Sequence, residues 1–183
     1  ICDSAGSWSG FFDQVAQAGS SAVALGVPSG TGATQALMNG ITTLGGSGGS
    51  VVVNTLSTGT LDVNQAISTV PAGTGTTVGG AVVLESNGAI TTAAAGTITT
   101  TGQASAAGLG GVGGEVFIHH TNLTTTAGDI TLGGTVTANG GSAAVGGTTG
   151  GNGGVVTLWN ERGGIVVNAA LSANGGAAGS GVQ

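Results

Sequence analysis

The chain has 183 residues, enough for one domain, with 41 Gly, a single Arg, no Lys and a formal net charge of -6. Only 4% of its residues are charged, 39% are hydrophobic and mean hydropathy is +0.42, which excludes for residues 48 to 183 the low-hydropathy, high-charge signature of disorder. One arginine supplies no basic footprint for nucleic acid or anionic lipid, no apolar run is long enough to span a membrane, and the lone Cys2 excludes an internal disulfide framework and leaves only pairing between chains. No basic segment precedes an apolar stretch, so any export signal is expected to have been removed or to lie outside this sequence.

Residues 1 to 47 fit no regular repeat and read as an N-terminal cap or docking segment. Trp8 to Ala18 has the spacing of a short amphipathic helix, whereas Ser21 to Val27, Ala36 to Met38 and Ile41 to Leu44 read as three strands of a degenerate first coil. Solenoid ends are atypical because they cap an open apolar bore.

From residue 48 the pattern becomes periodic. Gly-Gly, any residue, Val, any residue, then a branched apolar residue occurs at Gly48, Gly79, Gly113 and Gly153, with spacings of 31, 34 and 40. Behind each copy stands a second marker, a glycine two positions before Leu61, Ile90, Ile130 or Ile165, and then a third apolar anchor at Ile67, Ile98, Val136 and Leu171. Three short alternating strands separated by Gly, Asn and Ser corners predict an all-β fold: a right-handed parallel β-helix of about four regular coils over residues 48 to 183, preceded by the degenerate cap coil.

Period-2 alternation then assigns faces. Val51, Val82, Val116 and Val156 should point into the bore with Leu61, Ile90, Ile130 and Ile165 and with Ile67, Ile98, Val136 and Leu171, each stacked on its counterpart about 4.8 Å away. Outward on the first strands lie Val52, Val83, Phe117 and Thr157, and two positions on Asn54, Glu85, His119 and Trp159. An apolar stripe through Val52, Val83, Phe117 and Trp159 predicts an interface, either between subunits or with Trp8, Phe11 and Phe12 of the same chain. The long segments, 70 to 78, 101 to 112, 140 to 152 and 175 to 183, all follow the third strand and read as loops on one corner.

The stretches Ala127-Gly128-Asp129-Ile130-Thr131-Leu132-Gly133-Gly134-Thr135-Val136-Thr137-Ala138-Asn139-Gly140-Gly141 and Gly163-Gly164-Ile165-Val166-Val167-Asn168-Ala169-Ala170-Leu171-Ser172-Ala173-Asn174-Gly175-Gly176 resemble the repeats of filamentous-haemagglutinin-like bacterial exoproteins. The resemblance covers about residues 48 to 183 and rests on repeat texture. It implies a secreted or cell-surface protein with a β-helical shaft and a role in adhesion or extracellular matrix. No match to that family's N-terminal secretion domain is present, which implies a fragment or a short relative.

Chemistry-bearing residues are sparse. His119 and His120 are adjacent on a strand, so their side chains diverge, a poor start for chelation; they read as polar decoration, with Glu115 on the same outer face as His119. Asp62, Glu85, Glu115, Asp129 and Glu161 are spread over successive coils, unlike the clustered carboxylates of a β-helical lyase or hydrolase, and the calcium-binding nonapeptide is missing. No enzyme, metal or cofactor is expected. Asn122-Leu123-Thr124 fits a glycosylation sequon.

The composition and repeats lead to an extracellular structural subunit that polymerises head to tail, coil upon coil, because the sequence stops at Gly179-Ser180-Gly181-Val182-Gln183, where another Gly-Gly strand is due. The alternatives are the shaft of a larger adhesin that meets glycan or a cell surface, and an ice-binding solenoid. For the last, the outward residues Ala66 and Ser68, Thr97 and Thr99, Thr135 and Thr137, Ala170 and Ser172 give only two complete threonine ranks of four.

Overall fold

The computed structural model describes residues 40–43, 48–55, 60–72, 76–106, 108–121, 128–146 and 149–180 with their side chains, and the backbone alone of 15–18, 23–27, 35–37 and 44. Numbered in chain order, its strands build three parallel sheets. The first holds β2 (Val23–Val27), β5 (Val51–Thr55), β8 (Val82–Ser86), β11 (Glu115–His120) and β14 (Val155–Asn160). The second holds β3 (Gln35–Leu37), β6 (Leu61–Val63), β9 (Ile90–Thr92), β12 (Ile130–Leu132) and β15 (Ile165–Val167). The third has six strands: β1 (Val15–Ala18), β4 (Ile41–Leu44), β7 (Ile67–Ser68), β10 (Ile98–Thr99), β13 (Val136–Thr137) and β16 (Leu171–Ser172). Every third strand returns to the same sheet one coil further on, which is the expected three-strand parallel β-helix.

Register follows the repeat. Val51 pairs with Val82, Val82 with Val116 and Val116 with Val156, so the four Gly-Gly segments are consecutive rungs. Val51, Val82, Val116, Leu61, Ile90, Ile130, Ile67, Ile98 and Val136 are all at most 1% exposed and form one core. The fourth coil departs from the expected stack: Val156 is only partly buried, while Ile165 and Leu171 are 44% and 42% exposed. A side chain in this bore is covered from both neighbouring coils, and the fourth coil has a described neighbour on one side alone.

The N-terminal region joins the same sheets. β2, β3 and β4 pair in parallel with β5, β6 and β7 in the places expected of a first coil. The amphipathic helix expected over Trp8 to Ala18 is not formed where the chain is described. Val15–Ala18 is a strand paired with Ile41–Leu44. Pairing its backbone against an available sheet edge outweighs the weak local preference for helix. Trp8 and the rest of that segment to Gln14 lie outside the described residues.

The glycine doublets mark where coils approach most closely. A Cβ on Gly80 would sit 1.9 Å from Gly49 O, one on Gly114 2.0 Å from Gly80 O, and one on Gly154 1.8 Å from Gly114 O. The corner has no room for a side chain. Gly80, Gly114 and Gly154 also donate their N–H back to the end of the preceding third strand, at Thr69 O, Thr100 O and Ala138 O.

The long segments expected to be loops are ordered where described and add a layer to the prism. Its arms make one hydrogen-bond column: Gln103 N–H to Thr77 O, Gly111 N–H to Gln103 O, Gly141 N–H to Gly111 O, Gly151 N–H to Gly141 O and Gly176 N–H to Gly151 O. Arms leaving a third strand alternate in it with arms returning to the next first strand. The returning arms read Gly110-Gly111-Val112-Gly113-Gly114 and Gly150-Gly151-Asn152-Gly153-Gly154, a three-residue period matching that of a polyproline-II-like chain.

Ile98→Ala should lower unfolding free energy by about 3 kcal/mol, and Ile165→Ala on the open coil by about 1 kcal/mol, in urea denaturation. Gly151→Ala, whose Cβ would meet Gly111 O at 1.8 Å, should cost about 2 kcal/mol or more. Gly108→Ala, with only Ser105 Oγ at 3.7 Å, should change stability by under about 1 kcal/mol.

Candidate functional site

Three surfaces differ in chemistry. In the outward rank of the third sheet, Thr42, Ser68, Thr99, Thr137 and Ser172 are in register and carry hydroxyls, and Ala16 of β1 ends the run. The adjoining rank, Gly40, Ala66, Thr97, Thr135 and Ala170, is broken. On the second sheet the middle positions are Ala36, Asp62, Thr91, Thr131 and Val166, with Thr91 Oγ1 donating to Asp62 Oδ1.

The first sheet is different. Val52, Val83, Phe117 and Thr157 are in register as expected, but Val52, Val83 and Phe117 are only partly exposed. Trp159 belongs to the next rank, beside His119. Trp8, Phe11 and Phe12, expected either to cover this stripe or to meet a neighbour, lie outside the described residues.

That next rank, Asn54, Glu85, His119 and Trp159, carries the chemistry. His119 Nε2 lies 3.3 Å from Glu161 Oε1 and Nδ1 lies 3.6 Å from Glu85 Oε1. Asn54 Nδ2 donates to Glu85 Oε2 at 2.8 Å. The imidazole is stacked on the Trp159 indole, with ring centres 4.9 Å apart and an interplanar angle of 29°, and tilted against Phe117 at 5.5 Å. A neutral imidazole carries one N–H, so only the imidazolium can donate toward both carboxylates at once. The His119, Glu85 and Glu161 side chains are 15%, 29% and 24% exposed, and Trp159 is 51% exposed.

Sequence reasoning placed Glu85, His119 and Trp159 in one outward column but read the carboxylates as dispersed. The fold overturns that reading for two of them. Residues 76 positions apart in the chain meet because Glu85 is one rung below His119, while Glu161 stands two residues beyond Trp159, one rung above.

The neighbouring histidine faces the other way. His120 was read as surface decoration, yet it is fully buried. Alternation sends it into the bore, in line with Thr55, Ser86 and Asn160. Asn160 Nδ2 donates to Gly128 O and Gly164 O, while its Oδ1 accepts from Arg162 N–H and lies 3.0 Å from His120 Nδ1. With Asn160 so oriented, the neutral ring carries its proton on Nδ1, and Nε2 has no hydrogen-bond partner. A Cβ on Gly128 would stand 2.8 Å from that nitrogen, one reason for glycine there. Among the described residues no group of three or more His, Cys, Asp or Glu could hold a metal ion. The sequon at Asn122 lies outside them.

A second, apolar feature lies at the glycine corner. Val78, Ala81, Val112 and Val155 wall a shallow groove of about 360 Å³ floored by Gly79, Gly113, Gly114, Gly153 and Gly154.

Comparisons with family models, curated proteins and solved structures find no match to this chain. No helix among the described residues is long and apolar enough to cross a membrane.

Asn160→Leu would remove the bonds to Gly128, Gly164, Arg162 and His120 together, and should lower stability by about 3 kcal/mol in urea denaturation. A double-mutant cycle on His119→Gln and Glu161→Gln should give a coupling below about 1 kcal/mol, the scale of a partly exposed pair.

Proposed function

We propose that this chain is an extracellular, non-catalytic structural subunit whose β-helix is continued head to tail by a second copy. The observation that carries this reading is the fourth coil. Its bore residues Ile165, Val167 and Leu171 are exposed, whereas Ile130, Leu132 and Val136, their partners one coil back, are buried, and β14, β15 and β16 each have one hydrogen-bonded neighbour in their sheets. Within the chain that same face is what each coil presents to the next, so a further coil would continue an existing mode of packing. Burying those side chains would stabilise the contact by roughly 1.5–3 kcal/mol per fully covered aliphatic residue.

The second reading, the shaft of a larger adhesin related to filamentous haemagglutinin, draws the covering coil from the same polypeptide. The repeat texture supports it as well as it supports a polymer. Ice binding is less well supported: one rank carries five hydroxyls in a row and ends at Ala16, and its neighbour is interrupted by Gly40, Ala66 and Ala170.

Electron microscopy of the purified chain should show unbranched fibres one β-helix wide, and the double substitution Ile165→Lys, Leu171→Lys should return it to monomers in sedimentation. A monodisperse monomer at high concentration would overturn the polymer reading. Thermal hysteresis in the monomer would favour ice binding instead.

A further inference from the structure

We infer that the glycine-floored groove beside the first sheet is a docking site for an extended, proline-rich segment of a basic partner protein. Its walls are Val78 and Val112 on the returning arms, and Ala81, Glu115 and Val155 where the first-sheet strands begin. Val78 and Val112 are 50% and 39% exposed, although each lies in a turn with a described coil on either side. Their exposure therefore does not come from the open fourth coil. Apolar side chains left uncovered in consecutive turns, around a cleft of about 360 Å³, mark a contact surface. Coils meet along the helix axis whereas the groove opens sideways, so a further coil would lengthen it without closing it. The site stands with or without the fibre.

The floor selects the conformation of the occupant. The N–H groups of Gly79, Gly80, Gly113, Gly114 and Gly154 are already donated within the chain, to Val112 O, Thr69 O, Asn152 O, Thr100 O and Ala138 O. None of these five is left to build a ladder with an added β-strand. A polyproline-II segment needs no ladder and binds through its side chains and solvated carbonyls. Its repeat also fits. Ala81 and Val155 stand two rungs apart, about 9.6 Å, and three residues of such a segment advance about 9.3 Å. Apolar residues at every third position would meet the two rungs in turn.

Charge selects the partner. Glu115 is exposed on the rung between Ala81 and Val155, and among the described residues its side chain has no hydrogen bond or salt bridge. A second copy, with the same net charge of -6, would bring an acidic surface against it. A lysine or arginine between two apolar positions of the bound segment would instead lie beside this carboxylate.

The test is a calorimetric titration of the whole chain with a twelve-residue peptide of four Val-Pro-Lys repeats, capped at both ends, and with its Val-Pro-Glu counterpart. The basic peptide should bind saturably with Kd below about 1 mM, and the acidic one should not bind. Val78→Ser together with Val112→Ser should weaken binding about tenfold, and Glu115→Gln should weaken it about threefold. Trp159→Ala should leave it unchanged, and circular dichroism of each variant should match the parent. Absence of binding, equal affinity for the acidic peptide, or equal affinity of the Val78→Ser, Val112→Ser chain would overturn the inference. So would side-by-side pairing of the free chains that these two serines abolish in sedimentation, by assigning the groove to a second copy.

Discussion

The structure depends on how closely one coil can lie on the next. Backbone meets backbone at the glycine corner, where Gly49, Gly80, Gly114 and Gly154 succeed one another with no space for a Cβ between rungs. That contact sets the vertical spacing, and the paired strands keep it around the circuit. Inward side chains then stack like on like, and the bore fills with Val, Ile and Leu.

A stack of this kind needs little charge. Contacts with water fall to the few polar groups that alternation directs outward, while polar groups directed inward meet one another along the stack, with His120 Nε2 and Thr100 Oγ1 left without partners. Thr55 donates to Ser86 and His120 meets Asn160, so the bore carries a continuous polar rank beside its apolar ones. Two consecutive histidines thereby have opposite lives. His119 joins three strands on the surface, and His120 is enclosed.

The strand repeat was legible because it combines two strong signals, glycine at the close corner and apolar residues at every second position. Those signals located twelve bore residues, nine of which are fully enclosed. The other three, Val156, Ile165 and Leu171, carry the same local pattern and differ only in what covers them, which alternation cannot express. The meeting of Glu85 with Glu161 was hidden for a related reason: it is set by rung order across three strands and by a side chain beyond the end of β14. Val15–Ala18 was misread because four residues of mixed pattern take the conformation of whichever edge receives them. In the long segments, the doublets had been read as punctuation between strands, whereas Gly110 to Gly114 and Gly150 to Gly154 are themselves a period of three.

The alternating arms of that glycine layer reverse an ordinary rule of solenoids. Turns between strands usually absorb added or missing residues with little effect. Here the outgoing arms at Gln103 and Gly141 are each held between the returning arm of the preceding turn and that of their own, so a one-residue deletion within an arm would put it out of step with both. The flank that looks most dispensable by composition is thus fixed along its arms and free to change length only at its outer tip, between Gln103 and Gly111 or between Gly141 and Gly151.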